Sequence, residues 1–328
     1  TLQAYFEGKR ELFEGLAISG LEKEWKQYPV LCLDLNAERF EEQGALERIL
    51  NENLKVWEAK YGAEDYEQTL AARFRGVIRR AAQQTGCRVV ILVDEYDKPL
   101  LQTMDIPALQ TEYRNILKAF YGNLKSCDEY IQFAFLTGVT KFGKVSIFSD
   151  LNHLTDISLD RRYVNICGIT ETELHQNFDG EVQELAMANS MTKEECYAQL
   201  SRDFDGYHFQ PHTEGLYNPF SLLNTLGSRQ FKDYWFETGT PTLLVQQIQK
   251  TDYPLECMTQ EELTTDTLNS IDTMDENPLP LMFQSGYLTI KDYDPEFDIY
   301  TLGFPNREVE QGFVKFLSRY YIPRENKL

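Results

Sequence analysis

Basic side chains are in short supply. The 328 residues hold 32 Lys and Arg against 52 Asp and Glu, a formal charge of -20 with histidine neutral. Binding nucleic acid over a whole surface needs clustered Lys and Arg, so that class is excluded, although a local basic groove is not. Long apolar runs are missing too. No uncharged stretch nears the roughly 18 residues that cross a bilayer, and no basic-then-apolar secretory pattern opens the chain. A soluble, cytoplasmic protein with no membrane partner is expected. The six cysteines (Cys32, Cys87, Cys127, Cys167, Cys196 and Cys257) lie roughly 30 to 60 residues apart without a C-x-x-C pair, as expected of reduced core thiols rather than disulfides or a zinc site. There is no internal repeat, no low-complexity linker, no G-x-S-x-G and no H-E-x-x-H. His208 and His212 have the i, i+4 spacing of a helical metal pair, but Pro211 lies between them, which makes them surface residues.

What is present is a foldable chain, 42% hydrophobic and 13% aromatic, long enough for about two domains. It starts at Thr1, and Leu2, Tyr5, Phe6, Leu12, Phe13 and Leu16 recur at helical spacing with no capping loop before them. A helix already in progress, with further sequence upstream, is the expectation. After a charged connector at Glu22 to Gln27, short apolar runs at Val30 to Leu35, Val89 to Val93 and Ile131 to Val139 read as strands. Residues 38 to 86 read as helices ending at a Gly86 C-cap, and residues 111 to 127 as another. Apolar strands alternating with helices indicate an α/β fold with a parallel sheet covered on both faces.

Tyr163 to Cys167 is a candidate last strand, and the pattern changes near Gly168. Helical and turn signals follow to about Lys250, with GLYNPFSLLNTL as the clearest helix start. The tail has a helical stretch from about Leu263, an extended run at Leu281 to Ile290, the turn-rich KDYDPEFD and a second extended run, IYTLGFP. A hairpin beside helices is what a winged-helix-like α+β module looks like. The expected divisions are a core at 1–168, a helical region at 169–250 and the winged-helix-like region at 251–328.

The strongest chemical signal is Val90-Ile91-Leu92-Val93-Asp94-Glu95, a strand closed by two acids. Ligands of open α/β sheets bind beyond the carboxyl ends of strands. In a nucleotide hydrolase the first acid holds Mg²⁺, usually through water, and the second deprotonates the attacking water, roles that Asp94 and Glu95 fit by order and type. Strands also end in acids simply because turns follow. Asp97 and Lys98 are assigned to that turn, with Pro99 starting the next element. Thr137, ending the third strand, could bond the water or a terminal phosphate, or merely satisfy its loop. Arg161 and Arg162 could supply positive charge to a phosphoryl group, or form a solvated pair. Gly138 to Val145 nearly matches the phosphate loop G-x-x-x-x-G-K-[ST]. Three features oppose it: Val145 in the hydroxyl position, no helix start after it, and a place downstream of the acidic strand. The segment Asp203 to Phe209 reads as a turn with packed aromatics.

These segments, TLQAYFEGKRELFEGL, YPVLCLDLN, VVILVDEYDKPL, FAFLTGVTKFGKVSIFSDLNHLTDIS, DFDGYHF, LYNPFSLLN and YWFETGTP, closely resemble in order the bacterial AAA-ATPase-like family over nearly the whole chain. The family joins a P-loop ATPase core to helical and winged-helix-like regions, often followed by a PD-(D/E)XK nuclease-like domain. The resemblance implies ATP and Mg²⁺ as cofactors, Asp94 and Glu95 as Walker B acids and Thr137 near the sensor 1 position. It also implies conformational change passed to the later regions. Two departures follow: the phosphate-binding (Walker A) loop would precede Thr1, and FVKFLSRYYIPRENKL stops where the nuclease-like domain would begin. The chain is thus expected to be the middle of a longer protein, an ATPase when intact but nearly inactive alone, because most nucleotide binding comes from the missing loop. A homo-oligomer, and nucleic acid through the absent nuclease-like domain, are the expected partners.

The rival is a non-catalytic protein or nucleic-acid interaction module. Its tail is acidic (Asp266, Asp272, Asp275, Glu276, Asp292, Asp294, Glu296 and Asp298), which favours protein contact over DNA. A third reading makes Asp94, Glu95 and Asp97 ligands of a metal hydrolase, against which neighbouring strand residues point to opposite faces.

Overall fold

Val89 to Val93 carry no polar side chain, and a strand that is apolar on both faces is stable only between two layers. In the computed structural model this run is the middle strand of a parallel sheet, and all five residues are buried. The structure describes residues 1–141, 147–148, 151, 153–235, 244, 247–248, 253–254, 262–269 and 277–321. The chain divides into two compact units, Thr1–Leu154 and Thr155–Leu328.

The first unit runs α1 (Leu2–Phe6), α2 (Ile18–Leu21), β1 (Val30–Asp34), α3 (Ala45–Tyr61), α4 (Leu70–Thr85), β2 (Val89–Asp94), α5 (Lys98–Leu101), α6 (Pro107–Ser126) and β3 (Ile131–Leu136). The sheet order is β1-β2-β3, parallel throughout, with Asp34 opposite Asp94 and Val93 opposite Leu136. All three strands therefore end at the same edge. Helices α3, α4 and α6 pack through a ladder of rings, Trp57 on Phe74 at 5.7 Å and Phe74 stacked on Phe120 at 4.2 Å. Full burial of one such side chain stabilises by about 1.5–3 kcal/mol, so this layer outweighs any single polar contact on it. Helix α4 begins at Thr69, whose hydroxyl accepts from the Ala72 N–H, and ends as expected at Gly86 in the left-handed conformation. Gly76 in its middle is a close approach: a Cβ there would sit 1.8 Å from Glu67 Oε1, which pairs bidentately with Arg80.

Three expectations fail here for identifiable reasons. The opening helix is broken after Phe6, because Gly8 (φ +72°) and Gly15 (φ +83°) take left-handed conformations, leaving only α1, a 3₁₀ turn at Arg10–Phe13 and α2. Strand β3 stops at Leu136 rather than Val139. Its residues are half-buried, with Gln132 exposed, because it is an edge of the described sheet; cover on both faces holds at β2 only.

In the second unit, α7 (Glu171–Asn177), α8 (Asp179–Ala188), α9 (Lys193–Phe204) and α10 (Pro219–Ser228) enclose Leu174, Val182, Leu185, Cys196, Leu200, Phe204, Tyr217 and Leu222. Capping boxes Thr170/Glu173 and Thr192/Glu195 start α7 and α9, and Asn218 followed by Pro219 starts α10, as its sequence signalled. A small antiparallel sheet, order β4-β6-β5, follows from β4 (Glu262–Thr264), β5 (Thr289–Asp294) and β6 (Ile299–Gly303), with helices at Leu279–Gln284 and Arg307–Tyr321. The hairpin is therefore present, but its first strand starts at Thr289. Leu281 to Gln284 are helical behind Pro280, and Gly286 (φ +83°) turns the chain before the strand. Tyr163 to Cys167 is not a strand: the Asp160 carboxylate accepts from the Arg162 N–H and winds Arg161–Tyr163 into a 3₁₀ turn. Of the cysteines, Cys127 and Cys196 are core residues as expected, while Cys167 is exposed and Cys257 lies outside the described residues.

Candidate functional site

Parallel register brings three strand ends together. Asp34 closes β1 and Asp94 closes β2 as its direct neighbour, both exposed, and Thr137 stands one residue beyond β3. The Thr137 N–H donates to Val93 O (2.9 Å), which extends the ladder by one rung, and its hydroxyl donates to Asp94 Oδ1 at 2.5 Å. The first acid and the hydroxyl predicted from sequence are thus in direct contact. Asp34 was missed, although VLCLD repeats the apolar-run-then-acid pattern of VILVD and could have been found by it.

Glu95 sits at φ +52°, a conformation uncommon outside glycine. It ends the strand abruptly and turns the second acid out of the line that strand alternation would give it. Its carboxyl is held above the ordinary range mainly by burial, with Asp97, Asp94 and Asp34 adding to the effect and Lys98 opposing it from 3.9 Å. Lys98 also donates to the backbone and side-chain oxygens of Asn36, which ties the β1 and β2 exits together. A half-buried carboxylate with a raised pKa beside exposed acids is suited to taking a proton.

Asp97 does something else. It is fully buried, and its two oxygens accept from the Val139 N–H (3.2 Å), the Thr140 N–H (2.6 Å) and the Thr140 hydroxyl (2.7 Å). Burial pushes its pKa up while those bonds pull it down. It therefore pins the segment after β3, and a metal-ligand role for it alongside Asp94 and Glu95 has no free oxygen to use. Gly138 is required beside it, since a Cβ would fall 2.4 Å from Asp97 Oδ1. The same bonds bear on the Gly138 to Val145 phosphate-loop alternative. Two N–H groups that would face a phosphate are committed to Asp97, and Gly143, Lys144, Val145 and Ser146 lie outside the described residues.

Arg161 and Arg162 belong to the second unit. Both are exposed, and Arg162 is bound bidentately to Asp160, which holds that carboxyl down at about 2. His212 is exposed as expected, whereas His208 is half-buried, and burial lowers its pKa.

Among the described residues no group of three or more His, Cys, Asp or Glu side chains is disposed to hold a metal. Asp34, Asp94 and Thr137 nevertheless form an all-oxygen edge, the donor chemistry Mg²⁺ takes when one or two carboxylates share it with water and phosphate.

Residues 1–148 match the family described as predicted AAA-ATPase. Asp34, Asp94, Glu95 and Thr137 all fall inside the AAA-ATPase-like stretch, and Arg161 and Arg162 fall outside it. A protein of Azotobacter chroococcum mcd 1, described as an uncharacterized protein in the vnfD 5' region, is 36% identical over 328 residues, covering 98% of this chain and 61% of its own length. The chain thus spans about three fifths of that relative. No solved structure matches. No helix among the described residues is long and apolar enough to cross a membrane.

Proposed function

We propose that the first unit is the acid-bearing part of a P-loop ATPase core, which binds and hydrolyses MgATP in the intact protein. The observation that carries this is the meeting of Asp94, Glu95 and Thr137 at one sheet edge, with the Thr137 hydroxyl bonded to Asp94, inside the stretch that matches the predicted AAA-ATPase family. Asp94, with Asp34 beside it, would hold Mg²⁺ through water, and the ion would supply positive charge to the phosphoryl group. Glu95 accepts the proton of the attacking water, and its raised pKa makes it a better base than an exposed carboxylate. Thr137, whose hydroxyl now bonds Asp94, is placed to bond the attacking water or the terminal phosphate.

The N–H groups of Val139 and Thr140 after β3 are held by Asp97 and are not available to a phosphate. In this proposal the cradle is a Walker A loop upstream of Thr1. Conformational change passes to a helical region at 169–250 and a winged-helix-like region at 251–328. The test is MgATP binding by calorimetry on this chain and on a version extended upstream to its start codon, each with Glu95→Gln to slow turnover. Binding by the extended protein alone is the expected result. Binding by the short chain would move the cradle to Gly138–Lys144, and binding by neither would end the ATPase proposal and leave a non-catalytic interaction module.

A further inference from the structure

Five residues past the end of β1 the chain carries a cation that nothing holds. Arg39 is exposed, and among the described residues it makes no ion pair and no hydrogen bond. Its backbone, by contrast, is fixed on both sides. Upstream, the Leu35 N–H donates to Asp94 O at 3.1 Å and the Asn36 N–H to Asp34 Oδ1 at 2.7 Å. Asn36 in turn accepts from Lys98, whose ammonium lies 3.9 Å from Glu95. Downstream, the Phe40 N–H donates to Gln102 Oε1 at 2.9 Å, and its fully buried ring meets Tyr113 edge to face at 6.2 Å. Glu42 O then accepts from the Tyr113 hydroxyl at 2.6 Å. Asn36 and Phe40 are thus tied to Lys98 and Gln102, which open and close α5, about 6 Å of helical rise apart. The loop that carries Arg39 is stitched to the element that follows Glu95.

Charge gives this placement a use. Asp34, Asp94 and Glu95 make the edge acidic, and a nucleotide's phosphates would add more negative charge, which a transferring phosphoryl group needs cationic donors to offset. Neighbouring cations are committed: Lys98 to Asn36 and Glu95, and Arg48 to Glu38 and Glu42 at 3.9 and 3.6 Å. Arg39 has no carboxylate to leave first, and the planar guanidinium fork matches phosphate oxygens two at a time. An exposed arginine is ordinarily a solvated side chain; a backbone pinned on both sides beside the acids sets this one apart. We infer that Arg39 contacts the terminal phosphate of the nucleotide at the acid edge and offsets the charge that develops there. The inference rests on the ATPase proposal and adds to it a cation from the same unit as the acids.

The protein extended upstream to its start codon serves for the test. Phenylglyoxal, which modifies arginine side chains, should label Arg39 in the free protein. MgATP should protect it at least about fivefold by mass spectrometry, while Arg88, exposed just before β2 at the other end of the sheet, stays reactive. Arg39→Ala should lower kcat roughly a hundredfold with KM changed by less than about threefold, and Arg39→Lys, which keeps the charge without the fork, should recover part of the loss. Binding of MgADP with aluminium fluoride, a mimic of the phosphoryl group in transfer, should weaken in Arg39→Ala while binding of MgADP alone holds. Arg48→Ala, in the same region but already paired, should change kcat and KM by less than about twofold. A parent that turns over ATP while Arg39 is unprotected, or while Arg39→Ala matches it or Arg48→Ala loses as much, would overturn the inference and leave the ATPase proposal standing. A parent that neither binds nor hydrolyses ATP would sink both.

Discussion

Glu308 offers a sharp quantitative test of the second unit. The second residue of the helix Arg307–Tyr321, it is only 2% exposed. Oε1 accepts from the Ser221 hydroxyl and the Trp235 N–H, each at 2.9 Å, while Oε2 is buried without a partner. The nearby cations are engaged elsewhere, Arg307 with Asp203 at 3.8 Å and Lys315 with Asp233 at 3.0 Å. Burial pushes the carboxyl from 4.5 to about 7, with Asp233 and Asp203 adding to the shift against the two hydrogen bonds. A folded pKa above the unfolded one means that the native state keeps its proton longer. The associated stability is therefore full below about 4.5 and is lost as pH rises toward 7. At about 1.4 kcal/mol per pH unit the loss is about 3 kcal/mol, which exceeds the ~1 kcal/mol or less that a helix N-terminus returns to an exposed anion. Glu308→Gln keeps an acceptor for Ser221 and Trp235 and cannot ionise. Urea unfolding followed by tryptophan fluorescence from pH 5 to 8.5, in a Trp25→Phe, Trp57→Phe background where Trp235 alone reports, should show the variant gaining on its parent as pH rises, by up to about 3 kcal/mol at pH 8, with the smallest difference at pH 5. Because the chain has two units, the transition reported by Trp235 is the one to fit. Parallel stability curves for the two proteins would refute the account of a neutral, buried Glu308.

Asp97→Asn leaves one amide N–H facing the donor of Val139 or Thr140 and should cost the first unit about 2 kcal/mol, with at least tenfold faster hydrogen exchange at those two amides; unchanged protection there would show that the pin is dispensable. Gly138→Ala places a Cβ 2.4 Å from Asp97 Oδ1 and 2.7 Å from the Tyr96 ring, and should lower stability by about 1–3 kcal/mol in a thermal melt. A wild-type melting temperature would mean that the loop has room that the geometry denies.

What the sequence revealed and what it hid divide along physical lines. Strand β2 was legible because a five-residue apolar run has one stable environment, and Gly86 and Asn218–Pro219 because caps are local chemistry. The opening helix misled because hydrophobic spacing says nothing about Gly8. A Cβ there would meet Gln27 Cγ at 2.7 Å and Trp25 O at 2.9 Å, a constraint set by residues nearly twenty positions away. The place of Thr137 at a strand end was legible, yet its bond to Asp94 depends on register. Asp34 needed only the same pattern to be applied twice.

The three acids within Asp94 to Asp97 show why type and order identify a site without assigning its parts. Asp94 is exposed, and among the described residues its carboxylate carries one bond, from the Thr137 hydroxyl. Glu95 sits half-buried on a left-handed turn, where burial raises its pKa, and complete burial turns Asp97 into a structural acceptor. The last of these supports the other two. With Asp97 holding Val139 and Thr140, the backbone on either side of Gly138 is fixed, and Thr137 stays against Asp94 before anything binds. The edge is then ordered in advance, and under the ATPase proposal engaging a ligand would exchange one hydroxyl bond rather than fold a loop, the condition under which oriented groups act most strongly on developing charge.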